Sequence, residues 1–186
     1  MPIAANRSIS TRLTFGFGGI LVLLIAVAVV GQISANAVQK SMRQITGVNA
    51  TKTQLANDML ATVNALSIQS RSVVMLDAVD ATRSKEQSKQ LTESLKLYAT
   101  QEKELSALVQ AGNTNPAEQS LMQEIETIAK STGPELQKAA NEALDGDAVS
   151  ANMTVMVRAN PGELAWNKKL AGMVALQSAR SQEATQ

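Results

Sequence analysis

From Leu13 to Ile33 only Thr14 and Gln32 interrupt an apolar run, and beyond it apolar positions recur at heptad spacing. As a helix this run of about 21 residues is roughly 31 Å long, the thickness of a bilayer's hydrocarbon core. Past it, Val38, Ile45, Met59, Leu66 and Val73 fall in one heptad row, and Val48, Leu55 and Leu76 in its partner row. Arg7 and Arg12, the apolar run and the triplet Ala35-Asn36-Ala37 also fit a cleaved signal peptide. The run is longer than a signal peptide needs, and the heptads begin immediately after it. The pattern therefore predicts an uncleaved transmembrane helix over 13–34, a cytoplasmic arm over 1–12, and a helical domain over 35–186. Arg7 and Arg12 precede the run and Lys40 and Arg43 follow it, which tilts the orientation slightly toward an inside N-terminus.

The rest of the chain divides into four helices. The first is expected over about 35–79, with Gly47 its only glycine and no proline. "DAVDATRS" (Asp77 to Ser84) supplies a turn, and a second helix over 83–111 carries Leu91, Leu95, Tyr98, Leu105 and Leu108 on its apolar face. "AGNTNPAE" stops it. A third helix over 116–145, kinked at Pro134, presents Leu121, Ile125, Ile128, Leu136, Ala140 and Leu144, and "DGD" (Asp145 to Asp147) ends it. Asn160-Pro161-Gly162-Glu163 reads locally as a helix start, but a helix beginning there would be roughly 39 Å long, too short to match the first. One helix over 148–186, kinked at Pro161, spans roughly 58 Å and does match. The predicted fold is all-α: an antiparallel up-down-up-down four-helix bundle with long first and fourth helices, preceded by the transmembrane helix.

Composition removes most chemistry. The chain has no His and no Cys among its 186 residues, so the usual zinc, haem and thiol sites are excluded, and no nucleophile–base constellation marks an enzyme. No cofactor, metal site or catalytic residue is expected. "DGD" lacks the spaced acids of a calcium loop. A net charge of +1 and 2% aromatics give no case for nucleic acid.

Two arginines stand out. With the fourth helix folded back on the first, Arg71 and Arg158 lie at one height, roughly 12 to 15 Å from the distal end. Ser67 precedes Arg71 by one turn and Thr154 precedes Arg158 by one turn, while Asn64, Ile68 and Met75 form a second, half-apolar stripe beside Arg71. Two guanidinium groups with hydroxyls suit a small carboxylate or amino acid. The expected ligand-binding set is Arg71, Arg158, Thr154, Ser67, Asn64 and Ile68. The opposing reading leaves the arginines solvated or paired with Asp77 or Glu163. A first helix with two apolar faces implies a homodimer. Tyr98, Trp166, Met153, Met156 and Met173 are expected in the core.

"NRSISTRLTFGFGGILVLLIAVAVVGQIS" (Asn6 to Ser34) and "RANPGELAWNKKLAGMVALQSARSQ" (Arg158 to Gln182) resemble the ends of the sensor region of bacterial methyl-accepting chemotaxis receptors. The likeness covers the whole chain as architecture and these two segments as sequence. It implies a periplasmic sensor in the inner membrane, a homodimer or higher oligomer, a small ligand held between helices one and four, and signalling through helix four. Detection through a solute-binding protein is also open. Such receptors continue into a second transmembrane helix and a signalling rod, whereas this sequence closes on the polar "SARSQEATQ", so the expectation is a sensor region without its transmitter. The same module serves histidine kinases and cyclases. A membrane-anchored structural coiled-coil adaptor is the alternative without a ligand.

Overall fold

The computed structural model describes residues 9–111 and 115–183, and among them every regular element is helical. In chain order these are α1 (Ile9–Leu76), α2 (Ala81–Ala111), α3 (Pro116–Leu144), α4 (Ala148–Met153), a π-helical turn (Thr154–Ala159) and α5 (Asn160–Glu183). The chain forms two compact units, Met1–Ile45 and Thr46–Gln186.

In the first unit, α1 is helical from Ile9 onward, with Ala35-Asn36-Ala37 inside it. Most side chains of the 13–34 segment lie outside the described residues, as do those of Val38 and Ile45 and all of residues 1–8. Among the described residues no helix is long and apolar enough to cross a membrane.

The second unit contains the core. On α1 the buried positions Asn49, Lys52, Ala56, Met59, Val63, Leu66, Ser70 and Val73 alternate steps of three and four, with Thr62 and Val74 buried beside them. That is a heptad seam. The row through Met59, Leu66 and Val73 is the expected one. Its partner row is shifted by one residue, to 49, 56, 63 and 70, and leaves Val48, Leu55 and Leu76 half-buried. Opposite the seam stand Leu91, Tyr98, Leu105 and Val109 of α2, Met122, Ile125, Leu136, Ala139, Ala140 and Ala143 of α3, and Trp166, Leu170 and Met173 of α5. Fully burying one Leu or Met side chain contributes about 1.5–3 kcal/mol, so this cluster is the main stabilising element.

Side-chain contacts join neighbouring helices. Along α1 and α2, Thr62 meets Gln101 and Val73 meets Ser84; along α2 and α3, Thr92 meets Gln137 and Ser106 meets Glu126. Along α3 and α5, Glu118 meets Arg180 and Glu124 meets Lys169, while Glu142 meets Thr154 of the π turn. In every pair the residue numbers run in opposite senses.

The helix ends have local causes. α1 stops at Leu76, three residues before the expected end, and α2 starts at Ala81 because Asp80 caps it: Asp80 Oδ1 accepts the Arg83 N–H at 3.1 Å. Asn115 caps α3 by accepting the Ala117 N–H at 2.9 Å, with Pro116 in the first turn, where its missing N–H costs nothing. Gly146, at φ +84°, takes the left-handed position after α3, and Asp147 Oδ1 accepts the Ser150 N–H at the start of α4. That hydrogen bond, with help from the Ser150 hydroxyl, holds the Asp147 carboxyl below its ordinary range.

The two prolines differ. Pro134 lies inside α3 without a break, although it denies the Lys130 carbonyl its donor. Ahead of Pro161 the helix instead widens into the π turn, so the irregularity lies one turn upstream of the expected kink. The Asn160 N–H bonds the Val155 carbonyl, five residues back. This wider turn takes the Val157 carbonyl out of the path of the pyrrolidine ring. Helical backbone is otherwise unbroken from Ala148 to Glu183.

Candidate functional site

Arg71 projects from α1 toward α5 and is the centre of the polar contacts between them. Its Nη2 donates to Asn160 Oδ1 at 2.9 Å and to Glu163 Oε2 at 2.7 Å, and its Nη1 donates to the Ser67 carbonyl at 2.8 Å. The Ser67 side chain is not the group used. Glu163 is only 2% exposed, so this is a half-buried guanidinium neutralising a buried carboxylate. The second oxygen, Glu163 Oε1, is buried with no hydrogen-bond partner among the described residues. The cluster therefore holds one unused acceptor beside a cation whose charge is already matched.

The remaining expected residues do not converge here. Arg158 is exposed and makes no ion pair among the described residues. Thr154 is buried and donates from Oγ1 to Glu142 Oε2 at 2.7 Å, facing α3 instead of Arg158. The π turn is the cause: its extra residue puts both Thr154 and Val155 in the core and turns Arg158 away. Asn64 is exposed and Ile68 is 66% exposed, on the outer face of α1 with Met75 at 74%. Met153 and Met156, expected in the core, are exposed as well, for the same reason as Arg158.

A second polar cluster lies toward the other end of the bundle. Lys52 donates to Glu118 Oε1 at 2.5 Å and Arg180 donates to Glu118 Oε2 at 2.7 Å, with Lys52 and Glu118 both buried. One carboxylate thus joins α1, α3 and α5. Glu118 occupies the first turn of α3, where the helix dipole favours an acid. Asn49 and Gln177 are buried on the same helices.

Between the clusters, Trp166 Nε1–H donates to the Tyr98 hydroxyl at 2.7 Å, and the rings meet edge to face with centroids 4.5 Å apart. Both rings are core residues, as their helical spacing implies. The Glu102 carboxyl lies beside the Tyr98 hydroxyl, its Oε2 buried without a hydrogen-bond partner among the described residues, and it lines a groove of about 430 Å³ between α2 and α3. Glu126, Lys103 and Lys130 line the same groove. Burial pushes the Glu102 carboxyl above its ordinary value of 4.5 against the pull of the Tyr98 hydroxyl, and the nearby Glu126 adds to the rise. Burial likewise raises the Tyr98 hydroxyl.

Arg71, with Glu163 as its rival partner, is legible in the sequence; Asn160, Glu142 and the Lys52–Glu118–Arg180 set are not. The one available signal for Lys52 was arithmetic: it stands midway between Ile45 and Met59 in the predicted heptad row. No family model matches the chain, and no curated protein matches it.

Proposed function

We propose that this chain is the sensor region of a bacterial transmembrane receptor of the chemotaxis type. An up-down-up-down bundle in the periplasm binds a small solute and passes the event along α5. The observation that carries the reading is the arrangement of the first and last helices. α1 is a single helix from Ile9 to Leu76 that contains the apolar 13–34 run, and the C-terminal part of α5 is tied beside Lys52 through Glu118 and Arg180. The reversed pairing of residues between neighbouring helices supports the up-down order. In this reading residues 13–34 anchor the chain in the inner membrane, and two copies associate through the outer face of α1.

The ligand is a small carboxylic or amino acid. Arg71 offers its remaining guanidinium donors and Glu163 Oε1 an acceptor for an ammonium or hydroxyl group, while Arg158, exposed and turned away from this cluster, adds only solvent-screened positive charge. The test uses the full chain in lipid nanodiscs, titrated calorimetrically with small carboxylic and amino acids. Arg71→Ala should weaken binding by about 1.5–3 kcal/mol, and Arg158→Ala by a smaller amount, because its contact is solvated. Unchanged affinity in both variants would remove this site, and intact dimers that bind no solute would favour the structural adaptor.

A further inference from the structure

The three turns from Ala151 to Glu163 take twelve residues, where an α-helix takes about eleven. One residue is extra, and it has a specific effect on which face points inward. The heptad rows of α5 are Glu163, Leu170 and Gln177 on one side and Trp166 and Met173 on the other, all buried. Continued back in steps of seven, they pass through Met156 and Val149 and through Ala159 and Asn152. Met156 and Val149 are nevertheless 65% and 79% exposed. Ala151, Thr154 and Val155 occupy the core in their place.

We infer that residues 148–159 form a two-register helix, in which the π turn closes to an α turn and screws α4 by one residue. Val149, Asn152 and Met156 then face the core, and Ala151 and Thr154 leave it. The change is about 100° of rotation and 1.5 Å of rise. Each five-residue hydrogen bond of the turn becomes a four-residue one, and at the lower edge the Asn160 N–H passes from the Val155 carbonyl to that of Met156. Pro161 has no N–H in either register, but its ring opposes the Val157 carbonyl only in the α register, which makes the π turn the resting state. At the upper edge the Asp145–Asp147 turn takes up the rotation at Gly146, already in the left-handed region. The contact that holds the present register is the Thr154 hydroxyl on Glu142. Below the turn α5 is fixed by Arg71, Tyr98 and Glu124 through Glu163, Trp166 and Lys169. The switch follows from this geometry whether or not the receptor reading holds.

The absence of native cysteine makes the test direct. Single variants Ala151→Cys and Val149→Cys of the full chain are alkylated in separate experiments. Thr154→Val keeps the side-chain volume and removes the hydrogen bond. It should speed alkylation at position 151 about tenfold or more and slow it at position 149, with helix content unchanged. Glu142→Gln, which still offers an amide oxygen, should leave both rates close to wild type. Deletion of Val157 removes the extra residue and should preserve the fold while protecting position 151. Faster alkylation at both positions would mean fraying, and no change at either would mean a fixed turn. Either result, or loss of folding on deletion of Val157, overturns the two-register assignment.

Discussion

Glu102 illustrates how a single residue ties pH to stability in this bundle. Its carboxyl is raised in the folded state, so the folded protein holds that proton more tightly than the unfolded chain does. The folded state is therefore disfavoured by this group as pH climbs from its ordinary value of 4.5 through the raised one, and the penalty is complete above it. Glu102→Gln keeps the side-chain shape beside the Tyr98 hydroxyl and removes the charge. Thermal unfolding should show the variant more stable than wild type at pH 7, with the difference vanishing below about pH 4. A gain independent of pH would mean that packing, and not ionisation, is responsible. Residues of this kind were the least legible in the sequence. Nothing local marks Lys52 or Glu118 as buried, because isolated charges are nearly always solvated and only the partner on another helix makes their burial tolerable. Asn160 and Glu163 imitated a helix start, since a capping pattern records local preference and not the contact with Arg71 that the fold supplies.

At the scale of elements, the packing of α5 on α3 depends at one point on a missing side chain. A Cβ on Gly162 would lie 2.9 Å from Thr132 Cγ2 and 3.1 Å from Thr132 Cβ. A β-branched residue in a helix cannot rotate its own Cβ away. Gly162→Ala should destabilise the bundle by about 1–3 kcal/mol through overpacking, despite alanine's better helix propensity. Chemical denaturation of Gly162→Ala, Thr132→Ala and the double variant would check it: coupling between the two positions is expected, and additive effects would place the clash elsewhere. The helices themselves were legible, because heptad spacing and the residues at 80, 115, 116 and 146 carry local physics that needs no partner. The π turn was not. An inserted residue changes no propensity, and its only trace is that Val149 and Met156 are apolar in rows where the core has moved on.

For the whole molecule, the outer face of α1 is one apolar surface that the bundle leaves uncovered, with Ile68 and Met75 one heptad apart and both mostly exposed. Under the receptor reading this face meets a second copy. Ile68→Cys should give disulfide-linked dimers in membranes under mild oxidation, and Ile68→Lys with Met75→Lys should shift the full chain to monomer in sedimentation at unchanged helix content. Monomer at every concentration in the wild type would rule the dimer out. Bundle architecture was readable in advance because it rests on periodicity, whereas the site was not, because it rests on which polar groups meet across helices. One contact made in the core also gives the protein an optical channel of its own. Trp166 is the only tryptophan of the chain, and it sits against the only tyrosine across the α2–α5 packing. Its emission, and energy transfer to it from Tyr98, therefore report the separation of those two helices without any label. A solute, a pH step or a neighbouring subunit that moves α5 would be visible as a colour change.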